Sequence, residues 1–168
     1  MLWLVPVLLT VALSPVPEDH ELLSAPDRRV RSADRRIGEL LAAGMERSPT
    51  FAHLVRAVNA TDVIVYIEPT RHLPKTLAGR LLLLPRAGEQ RYLRIQVRVD
   101  LPGRELIALI GHELRHALEV AADPTVRDDD GMLALYQRIG RATLGTLHAF
   151  DTEEAQIAGR RVRQELVG

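Results

Sequence analysis

The spacing of apolar positions changes several times along this chain, and each change marks an element. Between residues 27 and 46, Val30, Ile37, Leu40, Leu41 and Met45 recur near the helical period, which predicts a helix. Ser48-Pro49 opens a second, with proline in the first turn and Phe51, Leu54, Val55 and Val58 on the inner side. The run DVIVYI, residues 62–67, is β-branched and closed by Pro69, so it reads as a buried strand. Residues 81–84 form another apolar run, closed by Pro85. Residues 92–99 alternate. Leu93, Ile95, Val97 and Val99 mark one face, and Tyr92, Arg94, Gln96 and Arg98 mark a wet one. The turn containing Gly88 joins these last two runs as a hairpin. Pro102-Gly103 ends the sheet, and a helix follows to Asp123, which marks its end before Pro124. Asp128-Asp129-Asp130-Gly131 reads as a loop and N-cap before a helix over residues 132–139. A last helix shows its packing face through Ala155, Ala158, Gly159, Val162 and Leu166. The expected class is α+β, with N-terminal helices, a sheet of about three strands, a central helix and C-terminal helices, in one domain over residues 27–168.

The first residues follow a different pattern. Residues 2–13 are almost wholly apolar, too short to span a bilayer but suited to the h-region of a secretory signal. Ala12-Leu13-Ser14 supplies small residues for cleavage. The expectation is a signal peptide over residues 1–14, a flexible Pro-containing arm over residues 15–26, and export to the periplasm or the extracellular space. No membrane span is expected in the mature chain. The composition suits a globular protein of 168 residues, 46% hydrophobic and 26% charged. Lys plus Arg balances Asp plus Glu at 22 each, so bulk charge points to no nucleic-acid partner. The absence of cysteine excludes disulfides, thiolate metal sites and a cysteine nucleophile.

The central helix carries the candidate chemistry. Within an otherwise apolar run stand His112, Glu113, His116 and Glu119, each costly to desolvate. His112-Glu113-Leu114-Arg115-His116 is an H-E-x-x-H sequence. On a helix, positions i and i+4 lie about 40° apart and one turn along, so two imidazoles can hold one metal from the same face. Zinc suits such ligands and needs no redox chemistry. Glu113 flanks that face about 100° round the helix. It can take a proton from an activated water and pass it to a leaving amine. The plain alternative is a pair of hydrogen-bonded core histidines. Arg115 points off the metal face, where a salt bridge is its default. His20, His53 and His72 lack ligand spacing and read as surface residues.

The GHELRH sequence resembles the zincin metallopeptidases. The chain also resembles short, mostly uncharacterised bacterial HExxH proteins, through GHELRHALEVA and FDTEEAQIAGRRVRQEL. That likeness covers roughly the last 65 residues; upstream, only the order of elements matches. It implies a zincin-like fold in which helices precede a small sheet, the HExxH helix backs the sheet, and a later helix supplies the third ligand. In zincins the sheet edge above the metal holds an extended peptide, and the wet face of residues 92–99 is a candidate border of that groove.

The metzincin pattern wants another histidine soon after His116, and the next is His148. A gluzincin-like arrangement wants an acid on a downstream helix. Asp151, Glu153 and Glu154 open the last helix; Asp151 lies about 35° from the centre of its packing stripe and Glu154 about 95° off, with Glu153 opposite. Asp151 is therefore the candidate third ligand and Glu154 the alternative, while Asp151 with Glu154 also fits an N-cap box. An aspartate departs from the gluzincin glutamate by one methylene. Glu119 shares the histidine face and is a candidate to orient His116. His148 and Tyr136 are candidates to stabilise an oxyanion. The expectation is a zinc-dependent hydrolase, a metallopeptidase acting on peptides or proteins. The alternative is a non-catalytic envelope protein with a structural metal site or a histidine hydrogen-bond network.

Overall fold

A computed structural model describes residues 28–85, 88–142 and 150–167. The expected signal peptide, the N-terminal arm and His20 therefore lie outside the described residues, as does His148. The class is α+β. In chain order the elements are β1 (Val30–Arg31), α1 (Arg35–Arg47), α2 (Pro49–Asn59), β2 (Val63–Thr70), β3 (Gly79–Leu83) and β4 (Arg91–Arg98). They are followed by α3 (Gly103–Ala122), α4 (Asp129–Ile139), β5 (Arg141–Ala142), β6 (Phe150–Asp151) and α5 (Glu153–Glu165). Among the described residues no helix is long and apolar enough to cross a membrane.

The main sheet has four strands in the order β1-β2-β4-β3, one more than the apolar runs suggest. The extra strand, β1, comes from the start of the expected first helix. Val30 is buried in the sheet opposite Val65. The Ser32 hydroxyl donates to the Ile67 carbonyl at 2.7 Å and accepts the Asp34 N–H at 3.1 Å. The long-range bond to Ile67 and the local one from Asp34 both compete with helix, which begins only at Arg35, where the Asp34 carboxylate accepts from Ile37 N. Met45, expected inside, is 38% exposed. The inward position is Gly44, where an added Cβ would stand 2.7 Å from the Phe51 ring. The expected inner residues of α2, Phe51, Leu54, Val55 and Val58, are all buried, and the Ser48 hydroxyl caps it.

β2 and β4 run parallel, while β3 and β4 form the expected antiparallel hairpin, with Gly88 at φ 65° in its turn. β2 does not stop before Pro69 but runs on to Thr70. Val65 N–H donates toward the β1 side, and alternate residues 67 and 69 face the same way. Pro69 lies beyond the short β1, where no strand needs its missing N–H. Leu93, Ile95 and Val97 are fully buried against the helices, as their alternation predicts.

α3 lies across this inner face and is flanked by α2 and α5. Its buried side includes Leu106, Ile107, Ile110, Leu114, Ala117 and Val120, together with Glu113, His116 and Glu119. The last helical carbonyls lack partners within a helix, and α3 carries no basic residue in its last turn. Arg91, on β4 and only 3% exposed, fills that role. Its guanidinium donates to the carbonyls of Val120, Ala121 and Asp123 at 2.8–3.0 Å, and bidentately to Asp62 at 2.7 and 2.8 Å. Hydrogen bonding from Arg91 holds the Asp62 carboxyl below its usual range. α4 begins three residues before the apolar pattern does, because Asp128 caps it through Gly131 N.

Replacing Arg91 takes a donor from three carbonyls at the end of the site-bearing helix, of which those of Val120 and Asp123 keep a backbone donor, and leaves Asp62 without its bidentate partner. Arg91→Leu is expected to lower the unfolding free energy by about 3 kcal/mol or more. Urea denaturation tests this, and a loss below about 1 kcal/mol would mean that water satisfies those carbonyls equally well.

Candidate metal centre

Two helices and a two-residue strand build the site. α3 presents His112, half-buried, and His116, 5% exposed, one turn apart. Their rings meet edge to face, with centroids 4.8 Å apart at 79°. Asp151 comes from β6, which pairs antiparallel with β5, Arg141 opposite Asp151. Neither short strand was foreseen, since two residues carry no period. α5 then starts immediately, and its small residues allow close approach. At Gly159 an added Cβ would stand 3.1 Å from the Cβ of His112.

This brings the Asp151 carboxylate onto the histidine face. Its Oδ1 lies 3.3 Å from His112 Nε2 and 3.5 Å from His116 Nε2. One ligand atom from each of the three residues lies within 4.8 Å of the others, so the group could hold a metal ion. The two shorter distances exceed an ordinary N–H···O contact. They are close to the edge of a tetrahedron with bonds of about 2.0–2.1 Å, about 3.3–3.4 Å, while the group as a whole spans up to 4.8 Å. Neutral imidazoles with one carboxylate are also the donor set expected of a three-ligand divalent site.

Asp151 is not the N-cap of α5. Thr152 takes that position, its hydroxyl accepting from Ala155 N at 3.2 Å. The sequence signal was a threonine followed by two acids in the first turn. Asp151 is thereby left outside the helix, where Thr152 N–H donates to its Oδ1 at 2.8 Å and Gln156 Nε2 to its Oδ2 at 3.0 Å. Glu154 lies outside the group; its side chain is 65% exposed, with Arg115 4.0 Å away.

Glu119 Oε2 stands 2.8 Å from His116 Nδ1, leaving Nε2 toward Asp151. Tyr136 abuts the His116 ring edge to face at 5.4 Å, and its hydroxyl donates to the His116 carbonyl at 3.3 Å. In this arrangement Tyr136 buttresses the histidine. Glu113 is 5% exposed, and no group among the described residues donates a hydrogen bond to its carboxylate. Gly79 of β3 leaves it room, since an added Cβ would lie 2.9 Å from Glu113 Oε1. Sequence reasoning missed Gly79, which carries no pattern of its own. His53 and His72 are exposed, away from this group.

His112, Glu113, His116 and Asp151 border one cleft of about 560 Å³. Its far wall is β3, from Gly79 to Leu82, and α4 supplies Met132, Leu133 and Tyr136. The wet face of residues 92–99, a candidate border, does not line it. Those side chains point to the opposite side of the sheet from α3, because their neighbours Leu93, Ile95 and Val97 point inward.

Burial and charge set the protonation of the metal-free site. Burial lowers the His112 pKa, helped by the nearby His116. Burial also opposes a charge on His116, but contacts with Asp151 and Glu119 outweigh it and hold the ring up at about 9. Asp151, which burial alone would raise, is drawn down to about 2, first by His116 and then by His112. Burial pushes Glu113 up to about 7, against the attraction of His116. Opposite shifts in one cleft are a mark of functional sites.

The raised His116 favours the fold fully below its ordinary pKa of 6.5 and loses that contribution as pH rises through about 9. The raised Glu113 carboxyl acts in the same direction, its contribution lost as pH rises through about 7. Metal-free protein should therefore lose stability between pH 6.5 and 9. Denaturation in chelator tests this, with His116→Ala flattening the slope. An NMR titration in which His116 deprotonates at an ordinary pKa would contradict it.

Comparison with protein-family models, with curated proteins and with solved structures finds no match to this chain, so the resemblance of its HExxH helix to the zincins stands on the sequence itself.

Proposed function

We propose that this protein is a zinc-dependent hydrolase, a metallopeptidase of zincin-like architecture, with His112, His116 and Asp151 as zinc ligands. The observation that carries this is the convergence of both Nε2 atoms on one Asp151 oxygen at 3.3 and 3.5 Å, beside a buried Glu113 carboxylate on the same cleft that has no donor among the described residues. A structural zinc site is closed by four protein ligands, whereas a catalytic one keeps a position open. Among the described residues this group has three members, and they line an open cleft, which favours the enzyme over the envelope scaffold. On this reading the likeness to gluzincins carries one departure: the acid is an aspartate from β6 rather than a glutamate within a helix.

Bound zinc would supply Lewis acidity, polarising a carbonyl and acidifying a water. The protein does the rest. Glu113, held near neutrality by burial, is matched to accept a proton from that water and return it to the leaving amine. Glu119 holds the His116 ring by Nδ1, so that Nε2 is the ligand atom. β3 is an edge of its sheet, with β4 on one side only, so its other backbone groups can pair with an extended chain. Such pairing would lay a peptide along the cleft wall beside Glu113. The substrate class is accordingly an extended peptide or an unfolded protein segment.

Glu113→Gln keeps the size of the side chain and removes the base. It should bind zinc as wild type does and lose hydrolysis of unstructured peptides by on the order of 10²-fold or more. A peptide-library digest at equal zinc occupancy tests this, and cleavage undiminished in the variant would defeat the mechanism. Gly79→Ala should likewise retain zinc but turn over more slowly, because the new methyl group displaces the Glu113 carboxylate. Unchanged kcat in that variant would mean that the carboxylate position is unimportant.

A further inference from the structure

We infer that Thr152 is a positioning residue for the metal, tying two of its three ligands to the start of α5. The inference rests on the metal reading of the site, and not on peptidase activity. Thr152 is 4% exposed and uses both of its polar groups toward this centre. Its N–H donates to Asp151 Oδ1 at 2.8 Å, the same oxygen that faces both imidazoles. Its hydroxyl donates to Glu119 Oε1 at 2.7 Å, while Glu119 Oε2 meets His116 Nδ1 at 2.8 Å. The hydroxyl oxygen accepts Ala155 N–H, one of the first-turn donors of α5 that have no partner within the helix.

These bonds form one path from α5 to α3. A carboxylate can turn about its terminal bond, and a buried one with a single partner is free to do so. The Thr152 hydroxyl fixes Oε1, and thereby aims Oε2 at the ring. Without it, Arg115 Nε stands 3.9 Å from Oε1, too far for a hydrogen bond. His116 would then lose the contact that directs Nε2 toward the metal. Because the same hydroxyl caps α5, ordering of that helix and geometry of the site depend on one side chain. Partners one bond beyond a metal ligand commonly change affinity by 10–100-fold when removed.

Zinc affinity, measured by competition with a chromophoric chelator, separates this role from simple stabilisation. Thr152→Val keeps the shape and removes the hydroxyl, and should bind zinc about 10–100-fold more weakly. Thr152→Ser keeps the donor and should bind as wild type does. Asp128→Ala removes a cap from α4 instead; it should lower thermal stability and leave zinc affinity unchanged. Glu119→Gln should weaken binding, and Thr152→Val added to it should weaken it little further, since both break one path. Wild-type affinity in Thr152→Val, or losses that add in the double variant, would overturn the inference. Wild-type protein that binds no zinc would overturn the metal reading, and this inference with it.

Discussion

The structure turns on the cost of placing ionisable groups on a helix that also forms the core. α3 packs Ile110, Leu114, Ala117 and Val120 out of water completely, yet Glu113, His116 and Glu119 are buried on the same helix. A charge taken from water without a partner costs far more than one apolar contact returns. Two of these groups solve the problem together. His116 stands between Glu119 and Asp151, one proton-bearing ring between two carboxylates. The third partner must come from another element, so the fold has to bring β6 and the start of α5 to that face. Docking of α5 is thus set by charge as much as by apolar area.

The small residues on the facing helices serve that docking. Ala155, Ala158 and Gly159 on α5 let its first turns approach α3 closely, with Gly159 against His112. A larger side chain there would push Asp151 outward before it could face the imidazoles. At the far end of α3, Arg91 answers a different demand, the last carbonyls of a helix with no basic residue in its own last turn. The helix carrying the site is therefore pinned at one end by a buried guanidinium and at its middle by the ligand cluster. Glu113 is the exception to the pairing rule. Its side chain is buried beside Gly79 with no donor among the described residues, and burial raises its pKa. Local stability is given up there, and the carboxyl is left to titrate near neutrality.

How much was legible in the sequence follows from the range of each signal. The HExxH histidines, Glu113 and Glu119 could be placed on one helix because helical spacing is a local property. The alternation of residues 92–99 and the inner face of α2 were readable for the same reason. The start of α1 was not, because the Ser32 bond to Ile67 crosses 35 positions and defeats the apolar rhythm around Val30. β5 and β6 were not legible either, since two-residue strands leave no period and exist only through each other.

The sequence by itself placed two imidazoles and two carboxylates on one buried helix, and made an outside group the candidate to complete them. It narrowed that group to the acids near residue 151 without choosing between ligand and cap. Tertiary structure removed the cap role. With Thr152 capping α5, Asp151 is left outside the helix and turned toward the histidines, while Glu154 is carried to the surface. It also decided which strand borders the cleft, placing β3 there and turning the polar face of β4 away. The physical reason is the same in both cases. Periodicity fixes the direction of a side chain relative to its own backbone, but which element faces it is set by long-range pairing that no local pattern encodes.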